Sequence, residues 1–478
     1  MLRVLALLLL ATPAFAQVPA PAGPVSRIAF GSCADQNKPC PVWDKLTEAK
    51  PELTLMLGDT IYADIENGKL KKPNVEKIQK SYDELAKLEP WKKLRANSYF
   101  LATWDDHDYG LNDAGVEWEH KDAAQKIFHD FFGTPADSPR RTMKGVYHAE
   151  TFGPEGKRVQ VIVLDTRYFR TALRRDTKVL PGTTIRPYLP QTDADASMLG
   201  ADQWKWLEAE LKKPAEVRIL VSSIQLVSDD HPFEKWANMP NERKKLYDLI
   251  RSTGANGVVV VSGDRHLGEI SLDTTSVGYP LYDATSSGLN QASQTFRLPE
   301  ANKQRVSAMP WGNNYGMIVI DWAKADPMIS LQLRHQDGEI SSQVRVPLSK
   351  LRAKAGSQPA GAKDPAKAIP LPDGVITPAA AIKKVGEEVT VQFAVAAGRV
   401  VSGGKRILLN SDADFKAKDN FTVVVNEKAM TGPFDKATFD TFKGKTVRAT
   451  GKVTEFKDAP QIQIDDAKNL EIVEAKKE

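Results

Sequence analysis

The run Trp104-Asp105-Asp106-His107-Asp108 sets three carboxylates and an imidazole side by side. Burying like charges together is costly unless a cation neutralises them, so a metal site is the first chemistry this run suggests. The alternative is a solvated acidic turn that binds nothing. Three more runs carry groups of the same kind: Cys33, then Asp59 with Tyr62, then Asp264 with His266. Thiolate, phenolate and imidazole suit calcium or magnesium poorly, and thiolate with phenolate fits a ferric ion better. Asp106, Asp264 and an amide such as Gln225 are harder ligands suited to a divalent cation, and Asp59 is placed to bridge two ions. Two cations about 4 Å apart clamp the attacking and leaving oxygens of a phosphoryl group and make hydroxide available near neutral pH. The competing reading makes the same residues caps, turn formers and core side chains.

Each group follows an apolar run: residues 25–31 before Cys33, Leu53–Leu57 before Asp59, Tyr99–Thr103 before Asp105, and 257–262 before Asp264. Such runs read as buried strands, and in open α/β sheets ligands bind at strand C-termini. Further strands are expected over 159–165, 217–226, 280–284, 315–322, 328–335 and 339–346. Helices are expected over 41–50, 69–94, 121–132, 202–213 and 241–252. Segment 170–199 is polar, contains Pro and Gly, and is long for a loop, which suggests a substrate-side insertion. Strands and helices alternate first and strands cluster later, the pattern of an α/β layered sandwich finished by antiparallel strands.

The chain has 478 residues, 41% of them hydrophobic and 26% charged, with a net charge of +4. That balance gives no case from charge alone for nucleic acid or an anionic membrane as partner. Residues 1–16 read as a secretory signal peptide: Arg3, an apolar run over 4–11, then Ala14-Phe15-Ala16 as cleavage site. The run is too short to span a bilayer, so a periplasmic or secreted protein is expected. In an oxidising compartment Cys33 and Cys40 either form a disulfide or leave one cysteine to ligate a metal. Residues 351–374, rich in Ala, Lys, Pro and Gly, read as a linker. Residues 375–478 give short strands with turn signals, the pattern of a small all-β barrel.

The segments Phe30-Gly-Ser-Cys33, Leu57-Gly-Asp-Thr-Ile-Tyr62, Thr103-Trp-Asp-Asp-His-Asp-Tyr-Gly110, Asp165-Thr-Arg-Tyr168 and Ser262-Gly-Asp-Arg-His266 together resemble the PhoD-like branch of the calcineurin-type metallophosphoesterases. The resemblance runs in order through most of residues 25–348. It implies a four-layer αββα sandwich over 25–350 and an alkaline-phosphatase activity on phosphate mono- or diesters, by attack of metal-bound hydroxide. By the same resemblance Cys33, Asp59, Tyr62 and His266 form an iron site, with Asp59 bridging. Asp106 and Asp264, with Gln225, hold a second ion resembling calcium. His107, beside Asp106, matches the histidine that contacts the phosphoryl oxygen and protonates the leaving group, with Asp105 and Asp108 holding it or a second shell in place. Asn112 is expected to contact substrate or metal. Arg167 is read either as a phosphate fork or as one half of a structural ion pair. The superfamily pattern usually opens with Asp-x-His, and Ser32-Cys33 stands there instead, which favours Fe3+ with Ca2+ over two identical ions. Residues 375–478 resemble an OB-fold, a barrel that binds oligonucleotides or glycans. Two rivals remain: a phospholipase D-like diesterase, and a non-catalytic extracellular binding protein that acts through the barrel.

Overall fold

Val258–Ser262 is buried at every position, as a strand enclosed on both faces must be. The same holds for Leu53–Leu57, Val159–Val163 and Val217–Val221. The computed structural model describes residues 18–293, 300–353, 371–401, 404–412, 420–435, 437–442, 445–456 and 459–473. Contacts divide the chain into two units, 1–354 and 355–478. The signal peptide expected over 1–16 and most of the linker expected over 351–374 lie outside the described residues. Leu351 is fully buried in the core of the first unit. Among the described residues no helix is long and apolar enough to cross a membrane.

The first unit is mixed α/β. Its main strands are β1 (Arg27–Gly31), β2 (Leu53–Leu57), β3 (Tyr99–Thr103), β4 (His148–Phe152), β5 (Val159–Val163), β6 (Val217–Val221), β7 (Val258–Ser262), β8 (Gly268–Asp273), β9 (Leu281–Ser286), β10 (Asn314–Asp321), β11 (Met328–His335) and β12 (Ile340–Pro347). They form two six-stranded sheets, ordered β12-β11-β10-β1-β2-β3 and β8-β9-β7-β6-β5-β4. The pairs β1–β2, β2–β3, β5–β6, β6–β7 and β7–β9 are parallel. Their C-terminal ends supply the loops that carry the predicted site.

Successive side chains of a strand point to opposite faces, and the first sheet uses both. Ile28, Phe30, Leu53, Leu55, Leu57 and Leu101 share one core with Val161, Ile219 and Val260 of the second sheet. Ala29, Met56, Phe100 and Ala102 turn the other way, against helices Val42–Glu48, Val75–Lys87 and Lys121–Phe132. Helices Gly200–Leu211 and Pro240–Ser252 pack Trp204, Leu207, Leu246 and Ile250 into the core of the second sheet. The helix expected over 69–94 breaks at Leu88, where the chain extends before a second helix opens with Pro90 in its first turn. The strand expected over 217–226 stops at Val221, so Gln225 lies in a loop.

The second unit is built on one eight-stranded sheet, including Glu388–Ala394, Arg406–Asn410, Thr422–Asn426, Thr446–Phe456 and Ala459–Ile464. Thr446–Phe456 pairs with three neighbours, one of them through its second half alone. The core holds Val391, Ile407, Phe421, Val423, Val447 and Ile462.

Candidate metal centre

Among the described residues seven non-glycine positions have positive φ, and four of them are predicted ligands: Cys33 (64°), Asp59 (50°), Asp264 (70°) and His266 (53°). L-residues avoid this region, and such strain gathers where a surrounding structure fixes side chains for a task. Each lies within four residues of the end of β1, β2 or β7. The approach is tight. Gly58, at φ 103°, would set a Cβ 2.4 Å from Cβ of Asp105, and a Cβ on Gly263 would lie 2.6 Å from Oγ of Ser32. Glycine is therefore required where β2 meets β3 and where the two sheets meet. Ser32 N donates to Ser286 O at 3.1 Å, which links the end of β1 to the end of β9.

These turns bring the expected groups together. Ligand atoms of Cys33, Asp59 and His266 lie within 4.8 Å of one another, as do those of Asp59, Asp106 and His107, and those of Asp105, Asp106 and Asp264. Asp59 and Asp106 each belong to two of the three groups. The thiol of Cys33 donates to Asp59 Oδ2 at 3.3 Å, and Tyr62 OH lies 3.0 Å from His266 Nε2. Cys33 and Cys40 are both free thiols, so the disulfide reading falls; Cys40 donates instead to the Leu289 carbonyl.

The electrostatics favour cations. Burial drives the carboxyl of Asp59 well above its usual range, with Cys33, Asp106, Asp105 and Asp108 adding to the push. Asp264 is raised in the same way, by burial and by Asp105. Burial pushes the Cys33 thiol up to about 12. Asp106 stays low: burial opposes its charge, but His107 and Arg167 outweigh burial. His107 is raised to about 9, because Asp106 and Asp64 overcome the opposing effect of burial; bound cations would lower it. His266 is held down to about 4 by burial, by His107 and by Arg265, which leaves a neutral ring able to ligate. Asp105 Oδ2 is buried with no hydrogen-bond partner. An excess of buried carboxylates, a thiol and a phenol within one cluster is a donor set that fits a thiophilic ion beside an oxygen-liganded one.

The contacts sort several residues whose roles the sequence left open. Arg167 is fully buried, and its guanidinium pairs with Asp105 and with Glu234, the latter at 2.7 Å. Of its two expected roles, these contacts are those of the structural ion pair. Neither Asp105 nor Asp108 hydrogen-bonds the His107 ring; both hold the groups around it, the second of their two expected roles. Asp105 accepts from Arg167 Nε and Ser223 Oγ, both at 2.6 Å. Asp108 accepts from the backbone N–H groups of Asp59, Thr60 and Asp105, and so ties the β2 and β3 loops together. The group on His107 is Asp64, whose Oδ1 lies 2.5 Å from Nδ1. Sequence reasoning missed Asp64; the only signal was a carboxylate closing the run Gly-Asp-Thr-Ile-Tyr-Ala-Asp. Half-buried Asn112 donates its backbone N–H to Asp64 Oδ2 at 3.0 Å. Gln225 Nε2 donates to Glu269 and Thr285, while its buried Oε1 has no hydrogen-bond partner.

A family model described as PhoD-like phosphatase matches residues 28–272. Alkaline phosphatase D of Bacillus subtilis (strain 168) is 23% identical over 285 residues, covering 52% of this chain and 47% of that protein. The chain thus spans about half the length of the curated relative it matches. The solved structure of PhoD superposes with a TM-score of 0.53 at 17% identity, over 71% of this chain and 73% of that one, a likeness of fold.

Proposed function

This chain belongs to the PhoD-like phosphatase family, and we propose that it hydrolyses phosphate esters at a dinuclear metal centre organised by Asp59. The observation that carries the reading is that the three ligand groups are joined in series: Asp59 links the group of Cys33 and His266 to that of Asp106 and His107, and Asp106 links the latter to Asp105 and Asp264. On this reading Cys33, Asp59, Tyr62 and His266 hold one ion, for which thiolate and phenolate favour Fe3+. Asp59, Asp106 and Asp264 hold the other, where oxygen donors favour Ca2+ or another divalent ion, with Gln225 Oε1 a further donor by resemblance. When bound, two adjacent cations withdraw charge from the phosphoryl oxygens and acidify water near neutral pH.

The rest falls to the chain itself. Asp64 engages His107 Nδ1, which leaves Nε2 as the atom that faces substrate. The ring lies against Tyr62, with centroids 4.1 Å apart, so its direction is fixed by packing as well as by the carboxylate. As water oxygen bonds to phosphorus and the bond to the leaving oxygen breaks, His107 delivers a proton to that oxygen. Asp106, beside His107, is itself held by the N–H of Asp113 at 2.7 Å. The same reading makes the first unit a four-layer αββα sandwich, the second an OB-like barrel, and residues 1–16 an export signal.

Metal analysis of protein purified without chelator tests the proposal. Two ions per chain, iron among them, are expected in the parent, and loss of metal and turnover together in Asp59→Asn. A parent that is fully active with fewer than two bound ions would end the dinuclear reading.

A further inference from the structure

Within the 170–199 insertion, residues 174–189 double back on themselves. Arg175 and Tyr188 form an antiparallel bridge, Leu189 N donates to Arg174 O, and Asp176 N donates to Pro187 O, both at 2.8 Å. One residue ties this excursion to the centre. Asp113 N donates to Asp106 Oδ2 at 2.7 Å, while the Asp113 carboxylate accepts from Tyr188 OH at 2.5 Å and pairs with Arg175. The Arg175 guanidinium lies 4.1 Å from the centre of the Tyr188 ring. Asp113 itself has φ 55°, so both of its ends are fixed at a backbone cost.

The excursion is strongly basic. Arg174, Arg175, Lys178 and Arg186 are all exposed, against the single carboxylate of Asp176, in a chain whose total charge is only +4. Arg174 is paired with Asp193 and Arg175 with Asp113. Among the described residues no carboxylate lies within ion-pair distance of Lys178 or Arg186. Unpaired surface cations raise the local concentration of anionic ligands, over a Debye length of about 8 Å at physiological salt.

We infer that this excursion selects phosphate esters whose leaving group carries a second anionic group. Lys178 and Arg186 supply the attraction, and the Tyr188–Asp113–Arg175 clamp ties the excursion that carries them to Asp106 through the Asp113 N–H. The inference rests on the phosphoesterase reading above. Phenyl phosphate and 3-carboxyphenyl phosphate, hydrolysed by the metal-replete full chain, differ by one carboxylate on the leaving group. At low salt the carboxylated ester is expected to show kcat/KM roughly fivefold higher, through a lower KM, and high salt should erase the difference. K178Q/R186Q should bring the ratio near one at low salt, and Tyr188→Phe, which loosens the clamp, should lower it with both cations present. Equal kcat/KM for the two esters, or a preference undiminished in K178Q/R186Q, overturns the inference and leaves the phosphoesterase reading standing. Failure of protein carrying two ions to hydrolyse either ester, or the diester diphenyl phosphate, overturns both.

Discussion

Replacing Asp64 with Asn changes one oxygen to an amide nitrogen at a site that is 2% exposed. The carboxylate receives two donors, His107 Nδ1 at 2.5 Å and Asn112 N at 3.0 Å. An amide has a single acceptor oxygen, so one of those donors must face an NH2 group. A buried donor left without an acceptor costs about 1–3 kcal/mol, and hydrogen bonds to ionised groups lie in the upper part of that range. A loss of about 2–3 kcal/mol corresponds to a fall in kcat of about 30- to 140-fold, at about 1.4 kcal/mol per decade. The assay is a series of aryl phosphates with increasingly basic phenolate leaving groups. If Asp64 serves the proton that His107 delivers, the defect grows with leaving-group basicity and nearly vanishes for the most acidic phenol. Metal content should stay at the parent value, because Asp64 is in none of the three ligand groups. A folded, fully metallated Asp64→Asn protein with near-parent turnover on the most basic leaving group would refute the reasoning, as would a loss equal across the series.

Three further outcomes follow from the same geometry. Arg167→Met leaves Asp105 buried without its cation, while Glu234 keeps Arg170, so it should lower the unfolding free energy by about 3–5 kcal/mol in urea; an unchanged midpoint would contradict the ion-pair assignment. Gly58→Ala forces an L-residue to φ 103° with its Cβ against Asp105, and should cost about 2–3 kcal/mol and reduce metal retention, whereas parent-like binding would show that the loop can yield. His129 is held down to about 4 from an ordinary 6.5 by burial, Arg140 and Arg141. The unfolded chain therefore takes up a proton that the folded state refuses. This contribution to stability is present above pH 6.5 and is lost as pH falls from there towards 4. At about pH 5 the loss is about 2 kcal/mol, from 1.36 kcal/mol per unit. His129→Asn, which can keep the bond made by Nδ1 to Thr134, should flatten the pH dependence of urea unfolding across that window; parallel profiles would exclude His129 as its source.

The strand ends were legible in the sequence because each reactive group directly follows an apolar run. Runs of buried residues need no partner information to be recognised: Leu53–Leu57 and Tyr99–Thr103 appear with the bounds expected of them. In the two six-stranded sheets the strands that escaped notice are His148–Phe152 and Gly268–Asp273, edge strands with polar residues among the apolar ones. Roles were harder to read than places. Asp105, Asp106 and Asp108 are chemically identical, and only their neighbours in space separate them: Arg167 for Asp105, Asp113 for Asp106, three backbone N–H groups for Asp108. Arg167 had two readings, and Glu234 decides between them from far along the chain, a distance no local spacing rule spans.

That sorting explains how one small volume tolerates so many acids. Asp59, Asp105, Asp106 and Asp108 are each at most 3% exposed, and the cations beside them are Arg167 and His107. Asp108 spends its charge on N–H donors from both loops, and Asp105 spends most of its own on Arg167 and Ser223. Both therefore stabilise the loops, since a hydrogen-bonded carboxylate tolerates burial. Asp59 and Asp264 have no ion-pair partner among the described residues, and both are pushed strongly towards the protonated form. The carboxylates left without a cation of their own are thus those that stand with Cys33, Asp106 and His266 in the ligand groups. A fold that neutralises some members of an acidic cluster internally, and strains the backbone to hold the rest unpaired, is arranged to receive positive charge from outside. Asp105 is where the two sets meet: one oxygen is committed to Arg167 and the other, buried and unpartnered, belongs to a carboxylate grouped with Asp106 and Asp264.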